Sequence, residues 1–213
     1  MKKKIAMMLL TVMTLSLAAC GGNNETESSQ PSSSVEATAE PTAEPTAEPT
    51  AEPAGAQITS ALELLNTVWG KYDEANKFPV GGGDSANLNF EGPGAFAVSA
   101  VEELDVTLGF PADQADNIDD AASMMNAMMA NNFTAGVYHV TDSANVQAVA
   151  DGLKASIMSK QWMCGMPEKM IVVAVDDYVI SAFGLSAAID PFKAEISEAY
   201  ANATVLYEES ITR

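Results

Sequence analysis

The expected sheet is built around Met170-Ile171-Val172-Val173-Ala174-Val175-Asp176-Asp177-Tyr178-Val179-Ile180-Ser181-Ala182-Phe183. Two apolar runs rich in valine and isoleucine flank a pair of aspartates. Runs of this length and composition predict buried strands, and a two-residue polar break predicts a hairpin turn. The turn has no glycine to take up a positive φ.

Thr134 to Thr141 reads as another strand. Asp142 then caps a helix through about Gln161, with Val146, Val149, Ala150, Leu153 and Ile157 facing inward. Downstream, Asp190-Pro191 reads as a cap followed by proline at the first helical position. Phe192, Ile196, Ala199 and Tyr200 make that helix amphipathic, and Thr204 to Tyr207 is a last strand. Strand, helix, strand, strand, helix, strand is the split-βαβ pattern, which predicts a ferredoxin-like antiparallel sheet with both helices on one face. The expected fold class is α+β.

Two helices are expected before this half. Ser60-Ala61-Leu62-Glu63 has capping-box spacing. Leu62, Leu65, Trp69 and Tyr72, extended by Ile58 and Ala61, form a stripe that ends near Asn76, ahead of Pro79. A second helix is expected after Asp116 or Asn117, with Ile118, Ala121, Ala122, Met125 and Met129 as its stripe and Asn131-Asn132 as its stop. Between the two, Gly81-Gly82-Gly83 and Gly92-Pro93-Gly94 mark loops. The apolar runs from Leu88 to Phe110 leave room for one or two strands.

The front of the chain is of another kind. Lys2, Lys3 and Lys4 precede an apolar run from Ile5 to Leu17, which closes on Leu17-Ala18-Ala19-Cys20-Gly21. A basic start, a short apolar segment and small residues before a cut describe a secretory signal. The run is short of the ~20 apolar residues that a membrane-spanning helix needs. The cysteine directly after Leu-Ala-Ala matches a bacterial lipobox, in which Cys20 is acylated and becomes the new N-terminus. From Gly21 to Ala56 there is no aromatic residue and Val35 is the one large aliphatic, so this stretch cannot offset the entropy of ordering. Proline at positions 41, 45, 49 and 53 favours an extended spacer reaching roughly 110 Å. The organisation expected is a signal peptide at 1–19, a disordered Pro/Glu/Thr/Ala-rich tether at 20–56 and one α+β extracytoplasmic domain at 57–213.

The lipobox, the stalk and the C-terminal half together resemble a group of uncharacterised lipoproteins of Gram-positive anaerobes, defined by a domain of unknown function. Asn117-Ile118-Asp119-Asp120-Ala121, the strand at Val137, Lys160-Gln161-Trp162 and the Ile171 to Phe183 hairpin carry the resemblance, which covers roughly residues 112–206. Met163-Cys164-Gly165-Met166 departs from it. The resemblance implies envelope anchoring and brings no activity and no site residue.

Charge removes one class of partner. Loss of Lys2, Lys3 and Lys4 with the leader reduces ten cations to seven and takes the formal charge from −19 to −22. Seven scattered cations cannot assemble a basic patch, so nucleic acid is excluded as a partner.

Four constellations invite chemistry. His139 and Cys164 are the domain's lone histidine and cysteine, and a nucleophilic pair would need them within hydrogen-bond reach. Cys164 instead continues the inward stripe of its helix, the reading of an inert thiol. Met124, Met125, Met128 and Met129, with Met158, Met163, Met166 and Met170, could hold Cu(I), fill a core or line a surface for an apolar partner. The core reading leads. Asp113, Asp116, Asn117, Asp119 and Asp120 lack the alternation and closing glutamate of a calcium loop, so capping suffices. Gly81-Gly82-Gly83-Asp84 lacks the Lys-Ser/Thr of a phosphate loop and reads as a flexible turn. The sequence therefore marks Cys20 for lipidation and assigns no catalytic, cofactor-binding or metal site. The expected protein is a lipid-anchored extracytoplasmic binding module for an unidentified protein or small molecule. The competing readings are an extracellular hydrolase using dispersed Asp and Glu, and a soft-metal or calcium binder.

Overall fold

The computed structural model describes residues 58–163 and 165–212. The expected signal peptide, lipidation of Cys20 and tether fall on residues outside the described ones. Among those described, no helix is long and apolar enough to cross a membrane.

Helix α1 (Ala61–Lys71) starts where its cap predicts: the Ser60 side chain accepts from Glu63 N at 3.1 Å. The Glu63 carboxylate turns back to Thr59 N at 2.9 Å, one residue before the usual capping-box partner. Its buried face is Ala61, Leu64, Leu65 and Val68, which leaves Leu62 and Trp69 on the flank of the expected stripe. The helix stops at Lys71, with Tyr72 already extended, a turn before the expected end.

Two short strands follow, β1 (Val80–Gly81) and β2 (Gly94–Ala95). Helix α2 (Val101–Glu103) runs on into a π-helical turn, Leu104–Leu108, closed by Gly109 at φ 70°. After a 3₁₀ stretch, Ala112–Asn117, comes the main departure: Ile118–Asn126 is strand β3, not a helix. Ala121, Ala122, Ser123 and Met124 are all buried because both faces of the sheet are covered here. Burial on both sides erases the period-two pattern, and Ala and Met are helix formers, so local preference pointed the wrong way.

The rest follows the expected order. Strand β4 (Phe133–Val140) leads into α3 (Val146–Ser159), entered through a 3₁₀ turn capped by Asp142, whose carboxylate accepts from Ala144 N at 3.0 Å. Strands β5 (Lys169–Val175) and β6 (Tyr178–Gly184) form the hairpin around Asp176-Asp177, where Asp176 takes φ 50° in place of a glycine. Helix α4 (Ser186–Ala199) begins a turn before Asp190, so Asp190 is not its cap and Pro191 sits inside it. Strand β7 (Thr204–Ser210) ends the sheet.

The class is α+β and the sheet is antiparallel throughout, in the order β1-β3-β4-β6-β5-β7, with β2 also on β3. Strand β6 lies between β4 and β5, the split βαβ of the sequence reading. A ferredoxin-like order would place β7 beside β4, but β3 holds that position and β7 pairs with β5. This also corrects the placement of the helices. The β4-α3-β5 and β6-α4-β7 crossovers step the same way across the sheet, while β4 and β6 run antiparallel. Two right-handed crossovers of that kind must lie on opposite faces. Accordingly α1 and α4 cover one face, over Ala122, Met124, Val137, Ile171, Val173 and Ile180. Helix α3 covers the other, with Phe96, Leu104, Phe110, Tyr138, Val172 and Val179.

Candidate functional site

Antiparallel strands give the domain two ends, and they differ in chemistry. The first holds the start of β3, the end of β4 and the β5–β6 turn. The chain enters here, with Ala61 N donating to Asp120 Oδ2 at 2.7 Å. Glu63, Asp119, Asp120, Asp142, Asp176 and Asp177 gather at this end, and none pairs with a lysine among the described residues. His139 is there too: its Nδ1 lies 2.5 Å from Asp119 Oδ1 and its ring 4.8 Å from that of Tyr178. The acidic run around Asp119 makes no cage, because Asp119 turns to His139 and Asp120 to Ala61. Among the described residues no three His, Cys, Asp or Glu side chains are placed to hold a metal.

The second end, about 26 Å along β3 by the strand rise, carries two adjoining clefts. One, of about 340 Å³, is lined by Tyr72, Asn76, Phe78, Asn126, Asn132 and, from the start of α4, Leu185, Ala187, Ala188 and Pro191. The other, of about 280 Å³, lies between Gly81–Gly83, Leu88–Phe90 and the segment from Met125 to Ala130. Asn126 belongs to both walls. Its Oδ1 accepts from Met128 N at 2.9 Å and Met129 N at 3.0 Å, which fixes the β3–β4 tip between the clefts. No charged side chain lines either cleft. Phe90 and Met128 are 79% and 82% exposed, and Leu88 and Met129 also face solvent. Such a concentration of open apolar side chains is uncommon unless something covers it.

The floor is stiff. An aromatic chain runs Trp69, Phe78, Phe133, Phe192, with centroids 5.2–5.4 Å apart. The glycine triplet is a close-approach device rather than a flexible turn. A Cβ on Gly82 would stand 2.2 Å from Ser123 O, and Gly83 has φ 90°. Asp84, 2% exposed, ties the loop that follows: Oδ1 accepts from Ala86 N and Asn87 N, Oδ2 from Ala97 N at 2.6 Å. Burial raises its pKa, but the Asn87 side chain and those N–H groups outweigh it and hold the carboxyl below the usual range.

The methionines separate. Met124 is buried in the α1/α4 core, Met125 is half-buried, and Met128 and Met129 are exposed at the hairpin tip. A strand and its turn thus divide residues that a helix would have kept on one face. The helix that Cys164 was expected to extend ends at Ser159, and Cys164 itself lies outside the described residues. Sequence reading missed Leu88, Phe90, Asn76, Asn126, Asn132 and Pro191 as a group. The available signal was an aperiodic apolar pair in a Gly/Pro/Asn-rich loop, but nothing local says that this loop meets the β3–β4 tip. Comparison with protein families, curated proteins and solved structures finds no match.

Proposed function

We propose that this chain is an envelope lipoprotein, anchored through an acylated Cys20 on the extracytoplasmic face of the membrane, whose α+β domain binds an apolar ligand. The observation that supports this reading is the opposition of the two ends. A chain arriving at Ile58 from an anchor meets the acidic end, and the uncharged clefts open at the other. Display at the far end suits capture rather than retention at the bilayer. Glycoside hydrolysis would need two carboxylates across the bound ligand, and neither of these two clefts is lined by an Asp or Glu.

Two measurements test it. Cys20→Ser abolishes incorporation of a fatty-acid label and releases the protein from membranes; unchanged labelling refutes the anchor. For the ligand surface, the folded chain enhances bis-ANS fluorescence, and Phe90→Ser with Met128→Ser removes most of that enhancement while the melting curve stays in place. An enhancement indifferent to both substitutions removes the clefts as the binding surface.

A further inference from the structure

Resting on that reading, we infer that the paired clefts take an extended apolar peptide segment of another protein, flanked by neutral or basic residues. The two clefts meet at Asn126, one reaching to Leu185–Pro191 and the other to Leu88–Phe90. Each cleft has room for at least one large apolar side chain, at about 340 and 280 Å³, and with the β3–β4 tip between them successive side chains of a strand can enter either side. Backbone-directed groups are present as well. The side-chain amides of Asn76 and Asn132 have no partner among the described residues, and each can donate to and accept from a peptide unit. Pro191 lacks the N–H that the Ala187 carbonyl would receive in a helix, and both residues line the same cleft. The methionine rim adapts to side chains of varied shape.

Charge selects among occupants. Asp73, Glu74 and Glu91 flank the uncharged lining, and the one flanking lysine, Lys77, is held by Glu74 at 2.5 Å. The domain as a whole has twenty-two carboxylates against seven cations. The chain's own tether carries seven glutamates and no cation, a second copy carries the same excess, and an anionic bilayer repels it as well. A foreign segment with lysine or arginine beside its apolar residues is attracted where all three are repelled.

The test uses the mature chain with Cys20→Ser and fluorescein-labelled peptides of about ten residues, roughly 33 Å at strand rise. These alternate Phe, Leu or Met with Ser and end in either Lys-Lys or Glu-Glu; binding is read by anisotropy. The Lys-flanked peptide binds about tenfold tighter than the Glu-flanked one, and Phe90→Ser or Met128→Ser each weakens it about tenfold. Both side chains are exposed, so these variants fold. Glu91→Lys narrows the difference between flanks. Equal affinity for the two peptides, or affinity unmoved by either substitution, overturns the proposal. So does co-sedimentation with phosphatidylglycerol vesicles that the same substitutions abolish. If bis-ANS responds to the substitutions but neither peptide binds, the apolar surface stands and its peptide occupant falls. If bis-ANS is also indifferent, both readings fall.

Discussion

Gly136 sits in a transverse row of small residues, Ser123, Gly136 and Ser181, on adjacent strands of the α3 face. The row is small because Tyr138 lies over it: a Cβ at position 136 would stand 2.2 Å from the Tyr138 Oη and 2.7 Å from Cζ. Tyr138 is fully buried against Phe110, at 4.5 Å, and cannot swing away. Burial raises its phenol pKa, with Ser181 pulling the other way, so it stays protonated. Gly136→Ala therefore costs about 1–3 kcal/mol of overpacking, read as a lower urea midpoint at unchanged slope. Adding Tyr138→Phe, which removes the atom nearest the new methyl, recovers part of that loss. Asp84 supports a prediction of another kind. Its folded pKa is depressed, so its contribution is complete above the unfolded value near 4 and is lost as pH falls through the folded one. Asp84→Asn turns an amide N–H toward donors such as Ala97 N or Asn87 Nδ2, costing about 1–3 kcal/mol. Urea midpoints taken from pH 6 down to pH 2 show a shallower acid decline in this variant than in the parent. Equal declines would remove Asp84 as a contributor.

Helix α4 is an element with two irregular features at its start. Its N-cap, Leu185, has no side-chain acceptor; instead Glu168, on the chain entering β5, accepts from Ser186 N at 2.9 Å. That N–H, followed by the Ser186 side chain, lowers the Glu168 pKa. One turn later Pro191 interrupts the ladder. Pro191→Ala restores the N–H for Ala187, stabilising the domain by about 2 kcal/mol once the stiffer unfolded chain of the proline form is allowed for. The melting temperature rises accordingly, while affinity for the Lys-flanked peptide falls because the carbonyl is occupied. A rise in stability with affinity unchanged would separate Pro191 from peptide binding. These features explain what sequence could and could not show. The Ile171–Phe183 hairpin, α3 and the Ser60 cap were legible because their signals are local: apolar runs, a 3.6-residue stripe, an oxygen facing an N–H. Strand β3 was not, because its burial comes from partners at 80–95 and 133–140. The order of the sheet hinged on that strand, since an expected helix left the place beside β4 open for β7. The α4 start was misread because the Asp190-Pro191 signal was sound in form, while the helix takes its cap from Glu168, on a different element. The clefts were illegible for the same reason, as they join stretches at 72–90, 125–132 and 185–191.

Across the whole molecule the electrostatics are lopsided. The described lysines engage acids such as Glu74, Glu198, Glu208, Glu209 and Asp190, or, for Lys160, the carbonyls of Asp105 and Val106. Lys169 and Lys193 both hold Glu208, binding α4 and β5 to the edge strand β7, a charged edge that discourages pairing with another sheet. The six carboxylates at the entry end have no such partners. Salt acts on the two sets in opposite directions. It weakens the surface ion pairs, each worth at most ~1 kcal/mol, and it screens repulsion summed over a domain with fifteen more carboxylates than cations. Repulsion acts over all pairs within a Debye length, which shrinks from ~30 Å at 0.01 M to ~10 Å at 0.1 M, a span comparable to the domain. Repulsion therefore dominates, and the melting temperature rises by roughly 2–5 °C between low and physiological salt. Asp177→Lys, at an exposed turn position among those carboxylates, raises the low-salt melting temperature and flattens the salt response. A melting temperature that falls with added salt would mean that the ion pairs on α4, β5 and β7 outweigh the acidic end.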